Sequence, residues 1–325
     1  MSKQNPKISY AAKEATVAFS LAQEAWAKYQ KFRPSYPQSI LDLWFAYHRA
    51  HGGKFDSIHD VGAGGGILSE MLAKYFTHVT VSDPGESNLA LARSILRPSS
   101  QFTFQRASGE ESWLPPSSLD FVAMGESFHW MDTQPTLAAA AKSLRPGGTF
   151  AATFYSIVLQ FPQDARLAVL MQQTEIEAYR HFFVHEGCFQ LPHLKAAIRR
   201  IKRGTNGIEL PSEEDGDFKN WTRININLHG RSDVEVFNSF PDEHFSMPPS
   251  YVKPSENVID MEDKAWRTEA DVDFVKGYLA SLTLPYDQRC WELPSWVEFE
   301  RIVNEEFGGK VTVEWPVSIL LATKK

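Results

Sequence analysis

The sequence predicts an α/β fold built on a doubly wound, mostly parallel sheet. Through the first half of the chain, short runs of β-branched and apolar residues alternate with segments of helical periodicity, and this order requires parallel strands joined by crossover helices. One apolar run leads directly into a turn that contains Gly62, Gly64 and Gly66, and an amphipathic segment follows at once. Such a turn lets the backbone approach a small ligand, because a side chain there would collide with it.

Five strands are predicted along the first half, each bounded by turn residues or by a helical segment. They lie at residues 57–61, 78–82, 101–106, 120–124 and 149–154. Apolar residues at helical spacing predict helices at residues 11–31, 38–51, 67–76, 86–96 and 137–144. This order places the glycine turn at the end of the first strand, on the sheet edge where ligands of open α/β sheets bind.

The alternating pattern loosens after Tyr155. Helices are predicted there at residues 164–185, 194–203, 269–282 and 296–307, and strands at 222–228 and 233–237. Because this interval is too long for an ordinary connection, we interpret residues 155–300 as a large helical cap, inserted after the fifth strand and laid over the ligand edge of the sheet. Residues 1–154 then form the ligand-binding core with an N-terminal helical segment. Residues 301–325 supply the end of a helix and the closing strands of the core, with 311–322 resembling a hairpin.

Charge and cysteine content exclude several classes of partner. The 325-residue chain has a net charge of −7, which repels a nucleic-acid backbone, and the basic run at residues 199–203 is typical of a solvated helix end. Cys188 and Cys290 are too far apart to predict a disulfide framework or a metal site. No apolar run approaches the roughly 18 residues of a membrane span. We therefore expect a soluble, cytoplasmic protein without nucleic-acid or membrane partners.

Four landmarks occur in a fixed order and carry a family resemblance. They are the segment 29–37 with its Arg-Pro-Ser-Tyr-Pro, the glycine turn 60–66, the Ser-Gly-Glu at 108–110, and the Glu-Ser-Phe-His-Trp at 126–130. With them the chain resembles class I methyltransferases that use S-adenosylmethionine, and it is most similar to the fungal branch around trans-aconitate methyltransferase. The resemblance implies a Rossmann-like sheet of seven strands, S-adenosylmethionine as cofactor, and methyl transfer as the activity.

Residues for binding the methyl donor are taken from these landmarks, together with Asp83 at the tip of the second strand. The set is Tyr29, Arg33, Asp60, Gly62, Ala63, Gly64, Gly66, Asp83, Ser108, Gly109, Glu110, Glu126, Phe128 and Trp130. A carboxylate at the position of Asp83 accepts hydrogen bonds from ribose hydroxyls in open α/β sheets, although an N-cap for the following helix explains it as well.

The resemblance implies further roles, each with a plain structural alternative. Asp60 lies near the methionyl end of the donor or braces the turn, and Arg33 pairs with the donor carboxylate or is a surface residue. Residues 108–110 run along the adenine. Phe128 and Trp130 face the adenine or the sulfonium, or only pack beneath the cap.

Two residues are candidates for the transfer step. We expect Tyr155, the first residue after the fifth strand, to approach the acceptor, with His129 opposite it across the methyl group as a general base; both have a structural alternative in the core. The predicted acceptor is a small molecule, methylated on oxygen, sulfur or nitrogen in secondary metabolism. Aromatic residues in the cap would suit an apolar or aromatic acceptor: Trp221, Trp266, Tyr278, Trp291 and Trp296.

Two other functions fit part of the pattern. An NAD-dependent oxidoreductase would share the sheet and Asp83, but its fingerprint needs glycine where Ile67 stands. A catalytically silent regulatory partner that only binds S-adenosylmethionine would show the same landmarks. The sequence leaves the oligomeric state open.

Overall fold

The structure, a computed structural model, describes residues 29, 31–183, 192–238, 240, 245–282 and 286–325. Most of the predicted helix 11–31, the end of the helix predicted at 164–185, and Cys188 lie outside the described residues. The strands, in chain order, are β1 Ser57–Val61, β2 His78–Asp83, β3 Phe102–Arg106, β4 Leu119–Gly125, β5 Leu144–Tyr155, β6 Lys202–Thr205, β7 Phe218–Ile226, β8 Asn257–Met261, β9 Arg267–Ala270, β10 Val311–Glu314 and β11 Val317–Lys324.

Helices cover the sheet and follow the strands in the predicted alternation through the first half. They are α1 Gln38–Ala50, α2 Ile67–Leu72, α3 Glu86–Ile95, α4 Thr133–Ser143, α5 Ala165–Ala178, α6 Pro192–Ile201, α7 Asp233–Phe237, α8 Val272–Ala280 and α9 Pro294–Arg301. A 3-10 turn spans Phe128–Trp130 directly after β4. No helix in the described part of the chain is long and apolar enough to cross a bilayer.

The central sheet has the strand order β3-β2-β1-β4-β5-β11-β7-β8. β1 pairs in parallel with both β2 and β4, and the chain runs outward from this point in two directions. In open α/β sheets the crevice at such a switch point, outside the carboxyl ends of the strands, is the ligand site. The fold therefore points to the ends of β1 and β4. The predicted α/β class and mostly parallel sheet are confirmed.

The second half of the chain departs from the prediction in its strands. The sheet has eight strands rather than seven, and β7 and β8 extend it although both fall within residues 155–300. That segment is therefore not wholly a cap. β11 enters between β5 and β7 and is antiparallel to both. The closing segment is not a hairpin, because β10 pairs with β9 in a separate two-stranded sheet.

Two local predictions about this half are also wrong. Residues 233–237 form a helix and not a strand, because Ser232 and Glu235 make a reciprocal capping box at its start. The basic run 199–203 is not a solvated helix end: the Lys202 ammonium is buried on the Phe245 carbonyl oxygen, and the guanidiniums of Arg200 and Arg203 form ion pairs with carboxylates.

The core consists of two main apolar clusters, one on each face of the sheet. The larger cluster includes α1, α3, α8 and Tyr155, whereas the smaller includes α4, Phe128, Phe150 and Phe154. Successive residues of a strand point to opposite faces, so the end of β5 presents Phe154 to one cluster and Tyr155 to the other. This alternation determines which predicted site residues can meet.

Candidate active site

The glycine turn after β1 has the backbone conformation that its sequence predicts. Gly62, Gly64 and Gly66 all have left-handed φ angles, of 69°, 55° and 86°. The amides of Gly62 and Ala63 both donate to the Ser82 carbonyl oxygen at 2.9 Å, which ties the turn to the end of β2. A Cβ on Gly62 would lie 2.5 Å from the Ser127 Cβ, so the turn also packs closely against the loop after β4.

Asp83 joins the turn to the helix that follows β2. Its Oδ2 accepts from the Gly64 amide at 2.9 Å, and its Oδ1 accepts from the Gly85 amide at 2.8 Å and the Asn88 side chain at 2.9 Å. Burial raises the pKa of this carboxyl. Asp83 is not the N-cap of the following helix, because Gly85 holds that position and no side chain caps it. The carboxylate of Asp83 instead links the residues around this helix start to the glycine turn. The ribose contact stays a prediction.

Asp60 is buried at the other side of the turn. Its Oδ2 accepts a hydrogen bond from the Ser69 hydroxyl at 2.6 Å, which braces the start of α2. Burial, with a smaller contribution from the charge of Asp83, raises the pKa of Asp60 to about 7. The side chain is therefore poised between its two protonation states near neutral pH.

The loop after β3 lies against the start of α4. A Cβ on Gly109 would lie 2.2 Å from the Met131 sulfur, so a side chain here would require Met131 to move. Glu110 Oε1 accepts from the Asp132 amide at 2.9 Å. The Ser108 amide donates to the side chain of Glu111 at 3.0 Å. Glu110 thus fixes the loop, and the predicted adenine contact of residues 108–110 stays a prediction.

Residues 29 and 31–37, which together we call the strap, lie over the ends of β4 and β5. Arg33 donates to the Tyr155 hydroxyl at 3.3 Å and to the Ser281 hydroxyl and carbonyl oxygens at 3.0 and 3.1 Å. Its guanidinium also lies 5.0 Å from the Tyr29 ring and 5.6 Å from the Tyr278 ring. Arg33 is therefore not a surface residue, and none of the described carboxylates forms an ion pair with it.

Glu126 stands directly after β4, beneath the strap. Its Oε1 accepts from the Tyr155 amide at 2.5 Å, and its φ angle of 54° is left-handed. Burial raises the pKa of Glu126 to about 8, and the nearby Arg33 moderates this rise. The structure thus brings together Tyr29, Arg33, Glu126 and Tyr155, which come from three separate segments of the chain.

His129 and Phe128 pack beside Phe154, on the side of β5 away from Tyr155. The His129 ring packs 5.7 Å from the Phe154 ring and 5.3 Å from Trp130, and Phe128 packs against Phe150. Burial lowers the pKa of His129 to about 3, and its Nδ1 has no hydrogen-bond partner among the described residues. The His129 ring thus packs on the Phe154 side of the end of β5, and its placement opposite Tyr155 across the methyl stays a prediction.

Four further residues lie near Arg33 and Tyr155: Trp266 and Tyr278, which the sequence suggested only as cap aromatics for the acceptor, and Tyr36 and Ser281, which were missing from the predicted site. Tyr36 belongs to the Arg-Pro-Ser-Tyr-Pro motif, and its hydroxyl lies so close to Gly125 that a Cβ there would be 2.7 Å away. The Trp266 ring lies 6.3 Å from Tyr155 and 6.5 Å from Tyr36. The motif was a usable signal for Tyr36, whereas nothing local marks Ser281.

Comparison with known proteins decides the family. A family model described as "Methyltransferase domain" matches residues 59–152. The whole chain is similar to methyltransferase pgmE of Aspergillus terreus, with 32% identity over 327 residues that cover 94% of this chain and 95% of that protein. The chain belongs to the class I S-adenosylmethionine-dependent methyltransferases.

Two further fungal relatives cover the methyltransferase almost end to end. A methyltransferase of Claviceps purpurea is 27% identical over 311 residues, covering 94% of this chain and 93% of that protein. Methyltransferase AacuQ of Aspergillus aculeatus is 28% identical over 309 residues, covering 94% and 95%. These names specify no acceptor, so the trans-aconitate-like branch stays a prediction.

S-adenosylmethionine is therefore the cofactor, and the residues at the switch point fit its charges. The donor has one carboxylate and two positive groups, an ammonium and a sulfonium. Arg33 is a cation whose hydrogen-bond partners are neutral, which suits the donor carboxylate. Asp60, Asp83 and Glu126 supply carboxyls close to the ends of β1, β2 and β4. When bound, the donor supplies a methyl group activated by its attachment to positively charged sulfur.

Proposed function

We propose that this methyltransferase methylates an oxygen, sulfur or nitrogen atom of a small aromatic or apolar molecule in fungal secondary metabolism. One observation carries the proposal: the strap and α8 together cover the carboxyl ends of β4 and β5. Phe32 packs 5.9 Å from Phe274, and a Cβ on Gly277 would lie 2.3 Å from the Phe32 ring. A site covered so closely favours a small acceptor over a nucleic acid or a folded protein.

Aromatic side chains around Arg33 support the class of acceptor. Tyr29, Tyr155, Tyr278 and Trp266 converge on the end of β5 from different elements. Flat, mostly apolar rings with polar tips suit an aromatic molecule that bears a hydroxyl or carboxyl group. Tyr155 is the residue we assign to the acceptor side, because its hydroxyl meets the Arg33 guanidinium and its ring meets Trp266.

Transfer itself requires alignment and the exclusion of water. The acceptor atom attacks the methyl carbon in line with the breaking bond to sulfur, and positioning accounts for much of the acceleration. A histidine whose pKa is about 3 is a weak proton acceptor at neutral pH, so His129 is a poor general base. We therefore favour an acceptor atom that is already ionised, such as a carboxylate or an acidic phenol.

Incubation with S-adenosylmethionine carrying a labelled methyl group tests the proposal. The panel should contain phenols, aromatic carboxylic acids, thiols and amines, beside transfer RNA and a basic protein. Label is expected in one of the small-molecule classes. Gly64→Val is the negative control, because a branched residue disfavours the left-handed turn and fills the donor side of it. Label in RNA or protein alone would contradict the proposal.

A further inference from the structure

Glu126 has an unusual backbone conformation for a residue with a side chain. It follows the last residue of β4 with a φ of 54°, a left-handed region that residues other than glycine rarely enter. Such strain clusters at ligand sites, where surrounding contacts maintain it. Here the amide of Glu126 donates to the Thr153 carbonyl oxygen at 2.9 Å, and its side chain accepts from the Tyr155 amide. Backbone and side chain are thus both held by β5.

Only one of the two oxygens of the Glu126 carboxyl group is used to hold the side chain in place. Oε1 is occupied by the Tyr155 amide, whereas Oε2 makes no hydrogen bond to the described residues. The glycine turn lies across the switch point, because the Ser127 hydroxyl, next along the chain from Glu126, donates to the Val61 carbonyl oxygen at 2.6 Å. Glu126 therefore stands beside the crevice between β1 and β4 in which the donor binds.

The charges around Glu126 indicate what its carboxyl group could bind. The groups that interact electrostatically with it are Arg33, Tyr29, Tyr36, Tyr155 and Tyr278, and among these only Arg33 carries a charge at neutral pH. A positively charged sulfur brought into the same site would be repelled by the half-buried Arg33 guanidinium. Asp60 and Asp83 lie at the ends of β1 and β2 and hold the turn and α3. Glu126 is the carboxyl on the Arg33 side.

We propose that the Glu126 carboxylate contacts the positive sulfur of the donor and makes the site prefer S-adenosylmethionine to its neutral product, S-adenosylhomocysteine. Donor and product share their ammonium and carboxylate groups, so a residue that recognises either of those would not distinguish them. After transfer the sulfur is uncharged and its pairing with Glu126 is lost, which favours release of the product. The inference rests on the methyl transfer proposed above, but only on its donor and not on its acceptor.

The preference should depend on pH. Because the pKa of Glu126 is raised to about 8, the carboxyl is largely protonated at pH 6 and ionised at pH 9. Only the ionised form attracts the sulfonium. The ratio of the two affinities should therefore rise by about tenfold or more from pH 6 to pH 9, since one pKa unit of interaction corresponds to about a factor of ten.

Calorimetry with S-adenosylmethionine and S-adenosylhomocysteine tests this directly in the wild type and in Glu126→Gln. We expect the variant to bind S-adenosylmethionine about tenfold more weakly at pH 9 and S-adenosylhomocysteine within about threefold of wild type. Its affinity ratio should no longer vary with pH. Glu70→Gln, which removes an exposed carboxyl from α2, is the matched control and should behave as wild type.

Each other outcome overturns the inference. An equal loss for both ligands would assign Glu126 to the shared ammonium, and no loss for either would leave it a brace for Tyr155 or a group that acts on the acceptor. If Glu126→Gln does not fold, the wild-type ratio decides, because a ratio that is constant from pH 6 to pH 9 contradicts the proposal. Failure to find an acceptor would leave these binding measurements unaffected, so the two proposals fail separately.

Discussion

The two faces of β5 differ sharply at its end, although Phe154 and Tyr155 are neighbours in the chain. On the Phe154 face, rings pack on rings, and the buried Nδ1 of His129 has no hydrogen-bond partner within the part of the chain that the structure describes. On the Tyr155 face, a guanidinium, a carboxyl and several hydroxyls converge. Two residues of one motif therefore need not share a role. Glu126 and His129 are three residues apart, yet Glu126 belongs to the polar site and His129 packs in the core.

Removing the ring on the apolar face should have the largest effect, and it should be an effect on stability. We expect Phe154→Ala to lower the free energy of unfolding by about 3–5 kcal/mol, because the cavity left in the core cannot fully close. Urea unfolding measures this change. The comparison on the neighbouring residue is Tyr155→Phe, which keeps the ring and should cost only about 0.5–1.5 kcal/mol. A Phe154→Ala protein that is fully stable but does not bind the donor would break the distinction between the faces.

On the polar face, Arg33→Met should weaken binding of the donor and of its product. Loss of the charge-assisted bonds to the donor carboxylate should weaken S-adenosylhomocysteine binding by about 1.5–3 kcal/mol, measured by calorimetry. Arg93→Met is the control, because Arg93 forms an exposed ion pair with Glu86 on α3 and lies over the Phe104 ring, away from the strap. Unchanged affinity in Arg33→Met would reassign the guanidinium to the acceptor or to the packing of the strap.

The free energy of unfolding should depend on pH through Glu126 on the polar face. The folded protein holds the proton of Glu126 up to a pKa of about 8, above the ordinary value of 4.5, so it binds more protons than the unfolded chain between these values. The free energy of unfolding of the ligand-free protein should therefore fall as pH rises from 4.5 to 8. Denaturant titrations across this range should show a shallower fall in Glu126→Gln. Equal slopes would mean that Glu126 is already ionised at low pH.

The smallest effect is expected from His129→Leu. Its unpaired Nδ1 costs stability, so an apolar side chain of similar size should leave the free energy of unfolding unchanged or slightly higher. The rate with any acceptor found in the labelling screen should stay within about threefold of wild type, less than 1 kcal/mol. If His129→Leu instead lost most of its methyl-transfer rate, and the acidic limb of the pH–rate profile disappeared with it, His129 would be the general base.

The first half of the fold was predictable because its signals are local. β1 to β5 each follow from a short apolar run with turn residues on both sides, and the left-handed turn at Gly62, Gly64 and Gly66 follows from the residue type alone. The later strands were not. β11 pairs with β5 and β7, which are distant in sequence, and the residues of β11 alone do not indicate which strands it pairs with.

The same limit applies to the site. The landmarks predicted Arg33 and Glu126, the end of the fifth strand predicted Tyr155, and the structure brings the three together. Ser281 and Tyr278 reach Arg33 from α8 and the residue after it, a contact set by tertiary packing. The position of His129 could not be predicted either, because it depends on which face of β5 the turn after β4 packs against.

The position of β11 also has a consequence during translation. The strand that completes the middle of the sheet begins only at Val317, whereas its neighbour β5 ends at Tyr155. At the usual 5–20 residues per second, a ribosome takes about ten to thirty seconds to travel between them. Throughout that time the nascent chain carries a long, apolar β5 with one edge unpaired, which is a template for pairing with other chains. The nascent protein is thus most exposed to aggregation before β11 emerges, and slower synthesis would lengthen the risk.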